Sequence, residues 1–387
     1  MARSLRIAML THSTNPRGGV VHAMSLCEAL AALGHRPVLF APDAGGAGFF
    51  RAPACEAVAF KAGPAPAGMT AMVEQRIADY VAHFESEGTE GFDLFHAHDG
   101  ISGNALATLK QRGAIPGFLR TVHHIDTFTD PRLAALQERA IRAADGWFAV
   151  SHLWQTHLAE TYGLAAALSG NGVDLARFRP QPDGGEGALR VRLGLGDGPV
   201  LLAVGGIEAR KNTLRILEAF LQLRALHPKA ELVIAGGASL LDHGAYQEEF
   251  AARLAQAGGH GIHVTGPLAD ADMPRLYRLA DALVFASVKE GFGLCVLEAM
   301  ASGLPVVVSR IAPFTGYLAD DEAIWCDPQR PAAIADAMAL ALRPGARGAF
   351  VPRGFDVAAR HDWARVAQAH LPLYIRFAEI ARRSLHA

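Results

Sequence analysis

Short apolar runs alternate with longer stretches whose apolar positions recur at helical spacing, and this alternation passes along the chain twice. The first run, Leu5-Arg6-Ile7-Ala8-Met9-Leu10, reads as a strand. A polar turn over 11–19 follows, then a helix over 20–33 closed by Gly34-His35, then a strand over 37–41. Strand, helix and strand in that order imply parallel pairing with a right-handed crossover. Residues 43–68 are rich in Gly, Ala and Pro and read as loop, with a short strand over 57–60. Helices over 69–84, 103–110, 132–144 and 153–162 then alternate with strands over 92–98, 118–123 and 146–151. This is the pattern of a doubly wound α/β domain ending near residue 170.

Asn171-Gly172-Val173-Asp174 marks a turn, and Arg179-Pro180-Gln181-Pro182-Asp183-Gly184-Gly185 reads as a linker. The pattern then restarts. Strands are expected over 200–204, 231–235, 262–265, 282–285 and 305–309, with helices over 213–227, 246–257, 273–280, 294–301 and 331–342. An amphipathic helical tail runs from about 362 to 384. The expected segments are an N-terminal α/β domain over 1–178, a linker over 179–190, a C-terminal α/β domain over 191–361 and a final helix over 362–387. Two such domains joined by a short linker make a cleft, and ligands of such sheets sit at the carboxyl ends of the strands.

Composition narrows this frame. A chain of 387 residues that is half hydrophobic can bury two cores. The net charge is −2 with both signs interleaved, so no nucleic-acid partner is expected. Cys27, Cys55, Cys295 and Cys326 lie far apart with no CxxC pair, and read as reduced thiols of a cytoplasmic protein. The apolar run near the N-terminus is too short for a signal peptide and breaks into Thr11-His12-Ser13. No stretch approaches the ~18 apolar residues of a transmembrane helix.

The chemistry is sought first in residues 285–298. There an apolar strand ends in a turn holding Glu290, Gly291 and Gly293, and a helix opens that carries Glu298. A helix that begins at such a turn offers free N–H groups and a favourable dipole to an anion. A G-x-G-x-x-G after the first strand would point to a dinucleotide, but Gly18-Gly19 stands there, and no P-loop occurs. His98 and Asp99 follow a strand, yet no third ligand at helical spacing completes a metal site, so no metal is expected. Asp270-Ala271-Asp272 has the letters of a metal clamp, but Asp272 precedes a helix and reads as its N-cap.

Glu290 to Glu298 resembles the E-x7-E motif of the retaining glycosyltransferases of family 4, which have the GT-B fold. Gly18-Gly19, His96-Ala97-His98, Thr121-Val122-His123, Asn171-Gly172-Val173-Asp174, Lys211-Asn212, Val264-Thr265-Gly266 and Glu290-Gly291-Phe292-Gly293 fall in that family's order over nearly the whole chain. The resemblance implies two Rossmann-like domains facing each other across a cleft, the first holding an acceptor and the second a nucleotide-diphosphate sugar. It also implies a final helix that packs back on the first domain. Lys211 then matches a phosphate-binding lysine and His123 lies near the sugar and β-phosphate, with His124 beside it structural. Gly19 lets the phosphates approach from the first domain. Glu290 holds sugar hydroxyls, helped by backbone N–H groups of Phe292, Gly293 and Leu294. Glu298 holds the ribose, and Gly266 lets the base lie against the backbone.

No cofactor beyond the donor is implied. The family usually has an arginine where this chain has Gly206, and Arg210 is the candidate to replace that cation. Ser309-Arg310-Ile311-Ala312-Pro313-Phe314 stands where many relatives have a glycine-rich loop. The alternatives are a non-catalytic nucleotide-sugar-binding protein and a GT-B sugar phosphorylase. The acceptor, whether small molecule, glycan or lipid, is not readable. Arg76 is accompanied by Glu74 and Asp79, so no basic membrane face stands out, although peripheral membrane contact stays open.

Overall fold

Most strands are buried on both faces, as parallel strands flanked by helices must be. In the computed structural model, which describes residues 3–237 and 243–385, the elements are as follows. The first series is β1 (Arg6–Leu10), α1 (Gly18–Ala32), β2 (Arg36–Asp43), β3 (Glu56–Lys61), α2 (Met69–Glu87), β4 (Leu94–Ala97), α3 (Gly100–Gln111), β5 (Leu119–Val122), α4 (Pro131–Arg142), β6 (Gly146–Ala149), α5 (His152–Tyr162) and β7 (Ala166–Leu168). The second is α6 (Glu186–Arg192), β8 (Val200–Val204), α7 (Thr213–Leu226), β9 (Glu231–Ala235), α8 (Gly244–Gln256), β10 (Ile262–Gly266), α9 (Asp272–Leu279), β11 (Ala282–Phe285), α10 (Leu294–Ala301), β12 (Val306–Ser309), β13 (Ile324–Cys326), α11 (Pro331–Ala341) and α12 (Ala346–Arg360). The chain ends in α13 (Trp363–Leu385).

Two units result. One runs to Gly172 and takes up the chain again from Trp363; the other is Val173–Asp362. The first holds a parallel sheet in the order β3-β2-β1-β4-β5-β6-β7, the second a parallel sheet in the order β10-β9-β8-β11-β12-β13. Both orders reverse direction beside their first strand, at β1/β4 and at β8/β11, and such a switch point opens a crevice at the carboxyl ends of the strands. In the first unit Leu10, Phe40, Phe95 and Leu106 belong to one apolar cluster, and in the second Leu201, Phe220, Val284 and Met338 belong to another. Within the first unit α13 is anchored by Tyr374, whose hydroxyl lies 2.6 Å from Nδ1 of His96, and by Arg382, which donates to Asp93 at 2.8 Å.

Several expectations need correcting. The boundary falls at Gly172/Val173, ahead of the expected end of the first domain at 178. Residues 179–190 do not form a free linker, because α6 begins inside them and Asp183 and Glu186 accept from arginines of α9. The distances are 2.9 Å for Arg275 to Asp183 and 2.5 Å for Arg278 to Glu186. Asp272 is not an N-cap. It is the first residue of α9, and its carboxylate pairs with Arg192 and Arg275. β7, β13 and α12 were not anticipated. α12 contains Pro352, Gly348 and Gly354, which read as punctuation. Gly354 is there because a Cβ at that position would come within 3.3 Å of Met300 on α10. Residues 1–2 and 386–387, the outer ends of the expected first and last segments, lie outside the described residues.

Candidate functional site

In the second unit two loops meet at the β8/β11 switch point. After β8 come Gly205 and Gly206, then a 3-10 turn, Ala209–Lys211, and α7. After β11 comes the loop carrying Glu290, then α10. The loops are tied by the Val288 N–H, which donates to the Arg210 carbonyl at 3.0 Å. Asn212 has a left-handed backbone (φ 62°), and its side-chain amide donates to the carbonyls of Ala286 (2.9 Å) and Pro328 (2.7 Å). One side chain thus fixes the start of α7 against the end of β11.

This frame holds Lys211 Nζ 2.8 Å and Arg210 Nη1 2.9 Å from the same oxygen, Oε1 of Glu290. Glu290 is only 6% exposed. Burial works against its charge, but the two cations more than offset it, and its carboxyl is held below the ordinary range. Lys211 Nζ also lies 4.4 Å from the centroid of the Phe285 ring. Gly206 explains the missing arginine. Its φ is 76°, and a Cβ there would come 2.6 Å from the carbonyl oxygen of Gly237. On the next turn Arg210 sets its own guanidinium against Glu290.

α10 opens without a side-chain cap. Its N-cap is Gly293, with φ 99°, where a Cβ would lie 2.7 Å from the Phe314 ring. Phe292 stacks on Tyr317 at 4.5 Å between centroids, and the Phe292 carbonyl accepts from the Tyr317 hydroxyl at 3.3 Å. Leu294 is the first residue of the helix. On its next turn Glu298 accepts from the Tyr277 hydroxyl at 2.6 Å, and burial pushes its carboxyl up. Gly266 ends β10, and a Cβ there would meet nothing within 4 Å.

In the first unit the β1/β4 switch point is lined by histidines. Gly19 lies in the first turn of α1, which has no side-chain cap, and a Cβ there would sit 3.5 Å from the His123 ring, an ordinary contact. His123 follows β5, and its Nε2 is 3.2 Å from Nδ1 of His98, which follows β4. His98 Nε2 lies 2.7 Å from the Met9 sulfur. His22, from α1, has Nδ1 2.5 Å from Asn171 Oδ1. His96 sits between Tyr374 and Thr121, the latter at 2.8 Å. His370 of α13 packs with its ring tilted against Phe148, 4.3 Å between centroids. Burial lowers the pKa of all five imidazoles, to about 4 for His22 and about 3 for His370.

The structure separates neighbours that look alike in sequence. His124 is exposed and pairs with Asp126 at 3.0 Å, away from His123. Asp99 turns from His98 to cap α3, accepting from the Ser102 N–H at 2.8 Å. His22, His370 and Tyr277 were not singled out from sequence. The available signal was a lone histidine within the apolar run Val20-Val21-His22-Ala23-Met24 of a helix. Among the described residues, one nitrogen each of His22, His98 and His123 lies within 4.8 Å of the others, an arrangement that could hold a metal ion. The third imidazole comes from α1, and a search for helical spacing could not find it.

Two doubly wound sheets, each gathering its polar chemistry at a switch point, and a buried lysine–glutamate pair beside an uncapped helix mark a GT-B transferase. Residues 16–177 match the model of "Glycosyltransferase Family 4" and residues 188–347 that of "Glycosyl transferases group 1". The chain is 30% identical over 307 residues to the D-inositol 3-phosphate glycosyltransferase of Acidothermus cellulolyticus, covering 73% of this chain and 67% of that one. It is 30% identical over 317 residues to that of Catenulispora acidiphila, covering 75% and 72%. In fold it is similar to sucrose-phosphate synthase from Thermosynechococcus elongatus (TM-score 0.77, 22% identity, 97% and 99% of the chains). It is also similar to Anabaena HepE in complex with UDP and glucose (TM-score 0.76, 18% identity, 95% and 99%).

The chain belongs to glycosyltransferase family 4, the glycosyl transferases group 1, and is a glycosyltransferase with the GT-B fold. Among the described residues no helix is long and apolar enough to cross a membrane.

Proposed function

We propose that the protein moves a sugar from a nucleotide-diphosphate sugar to an acceptor hydroxyl with retention of configuration and without a metal or other cofactor. The observation that carries this reading is the convergence of Lys211 and Arg210 on Glu290 at the β8/β11 switch point. As the glycosidic bond breaks, negative charge grows on the leaving pyrophosphate, and cations fixed in advance stabilise that charge without reorganising. Lys211 and Arg210 are those cations, and the uncapped start of α10 adds the N–H groups of Gly293 and Leu294. Glu290 accepts from two hydroxyls of the transferred sugar, as a carboxylate can. Glu298, kept in place by Tyr277, takes the ribose hydroxyls, and Gly266 leaves room for the base.

His123 and Gly19 gather at the switch point of the first unit, where a Cβ on Gly19 would lie 3.5 Å from the His123 ring. HepE, of similar fold, has been solved with UDP-glucose, which makes uridine diphosphate sugars the first donors to try. The D-inositol 3-phosphate glycosyltransferases among its relatives make a phosphorylated polyol the first acceptor to try. The four free thiols agree with a reducing, cytoplasmic setting.

The test is a panel of nucleotide sugars scored for thermal stabilisation and slow donor hydrolysis, in chelator, with Glu290→Ala as control. Product anomers are then read by NMR. A donor that stabilises the chain, turns over in chelator and yields the donor's own anomeric configuration supports the reading. No response to any donor, an inverted product, or loss of turnover in chelator overturns it.

A further inference from the structure

The first unit carries polar atoms that the transfer chemistry does not use. Nε2 of His22 is fully buried and has no hydrogen-bond partner. Its other nitrogen is occupied by Asn171 at 2.5 Å, so the imidazole is held in one orientation with a bare nitrogen turned to the interior. That ring stands 4.7 Å from His123 and 5.4 Å from His98, centroid to centroid. His98 and His123 already present nitrogens to each other at 3.2 Å. An unsatisfied buried nitrogen normally costs stability, and here the ring that carries it packs against two further imidazoles and the Trp363 ring, 5.2 Å away.

We propose that His22, His98 and His123 form a binding site for one late first-row divalent cation, of which zinc is the representative, with an open fourth position. Zinc–nitrogen bonds of about 2.0–2.1 Å put tetrahedral ligand nitrogens roughly 3.3 Å apart. The His98–His123 separation of 3.2 Å matches one such edge, and the whole triangle lies within 4.8 Å, so modest ring rotation closes the rest. The Asn171 carboxamide oxygen on Nδ1 of His22 is the second-sphere acceptor that ligating histidines ordinarily have. Three imidazoles and no carboxylate select zinc, cobalt, nickel or copper over magnesium.

A cation there takes His123 out of use, so the ion inhibits transfer. That consequence alone rests on the proposed reaction; the binding does not.

The full chain is stripped with chelator and titrated with Zn2+ by calorimetry, and with Co2+ while its visible absorption is read. The expected result is one tight ion per chain, a tetrahedral cobalt spectrum and no comparable binding of Mg2+. His22→Gln and His98→Gln should each weaken the tight event by about a hundredfold or more, and Asn171→Ala by about 10–100-fold. Melting curves in metal-free buffer check that each variant folds. If a ligand variant does not, Asn171→Ala and the native cobalt spectrum decide. An octahedral spectrum, no tight ion, or unchanged affinity in His22→Gln or Asn171→Ala overturns the site, the last being the mark of surface histidines. Turnover untouched at saturating Zn2+ overturns the inhibition but not the site. Turnover absent with every donor bears on the reaction and leaves the calorimetry standing.

Discussion

The two sheets reverse their strand order at corresponding points, beside β1 in one unit and beside β8 in the other, yet the side chains gathered there differ in electrical character. In the second unit they are ions. Lys211 and Arg210 hold a carboxylate in its charged form in spite of burial. In the first unit they are neutral rings, five imidazoles whose burial keeps protons off. One frame thus supports both a preorganised field and a wall of neutral rings, to which the buried Arg120 guanidinium adds a charge. On the proposed reaction the division is chemical. The field belongs where charge develops on the leaving group.

The largest effect that can break this contrast is on the field. Lys211→Ala should lower kcat by about 10²–10³-fold, and Arg210→Ala, which removes a more exposed guanidinium, by roughly tenfold. Steady-state kinetics on both variants would show whether one cation dominates; equal losses would make the pair a single unit. The field also has a fixed place. Gly206→Arg, which restores the family's usual residue, should not raise turnover and should destabilise the chain by about 3 kcal/mol, because of its positive φ and the contact with Gly237. Urea unfolding and a rate assay on the same preparation check both halves.

Acid should separate the units. A histidine whose folded pKa is depressed contributes stability that is complete above the unfolded value near 6.5 and is lost as pH falls toward the folded value. For His22, pushed down to about 4, the loss between those limits is on the order of 3 kcal/mol. His370 adds a loss that extends to about 3. For Glu290, also depressed, the stability is present above the ordinary carboxylate pKa near 4.5 and disappears only below it. Between pH 6.5 and 5 the histidine unit should therefore weaken first. Trp325 lies in the second unit and Trp147, Trp154 and Trp363 in the first, so fluorescence-detected urea curves with and without Trp325→Phe resolve the order. Loss of the second unit first would remove the contrast.

The smallest effect is Gly19→Ala. The fold accepts the methyl at 3.5 Å from His123, so stability should stay within about 0.5 kcal/mol of the parent. Any fall in donor affinity, measured beside an unchanged melting temperature, then reports a ligand passing close to α1.

What could be read from the sequence followed how local each signal was. The strands that end at Leu10, Val204 and Phe285 are short apolar runs bounded by turn residues, and periodicity finds such runs. Lys211, Arg210 and Glu290 sit at strand ends that motif order marks. The histidine cluster is assembled from α1, β4, β5 and α13, elements far apart in the chain, and no spacing within one element announces it. α12 was hidden for the opposite reason. Its Pro352 and Gly354 are strong local punctuation, and the close approach of Met300 on α10 overrides it. The stretch 179–190 read as a linker because prolines and glycines mark it, while what pins it is a pair of arginines on a helix some ninety positions later, Arg275 and Arg278.

The last helix has a consequence for how the molecule is made. The second unit is one unbroken stretch, but the first is completed only by α13, which supplies Tyr374 to His96 and Arg382 to Asp93. A ribosome therefore releases everything the second unit needs before it releases the final piece of the first. Domains ordinarily fold in the order of synthesis. Here the first unit stays incomplete, with His96 lacking its hydroxyl partner, until α13 has been made.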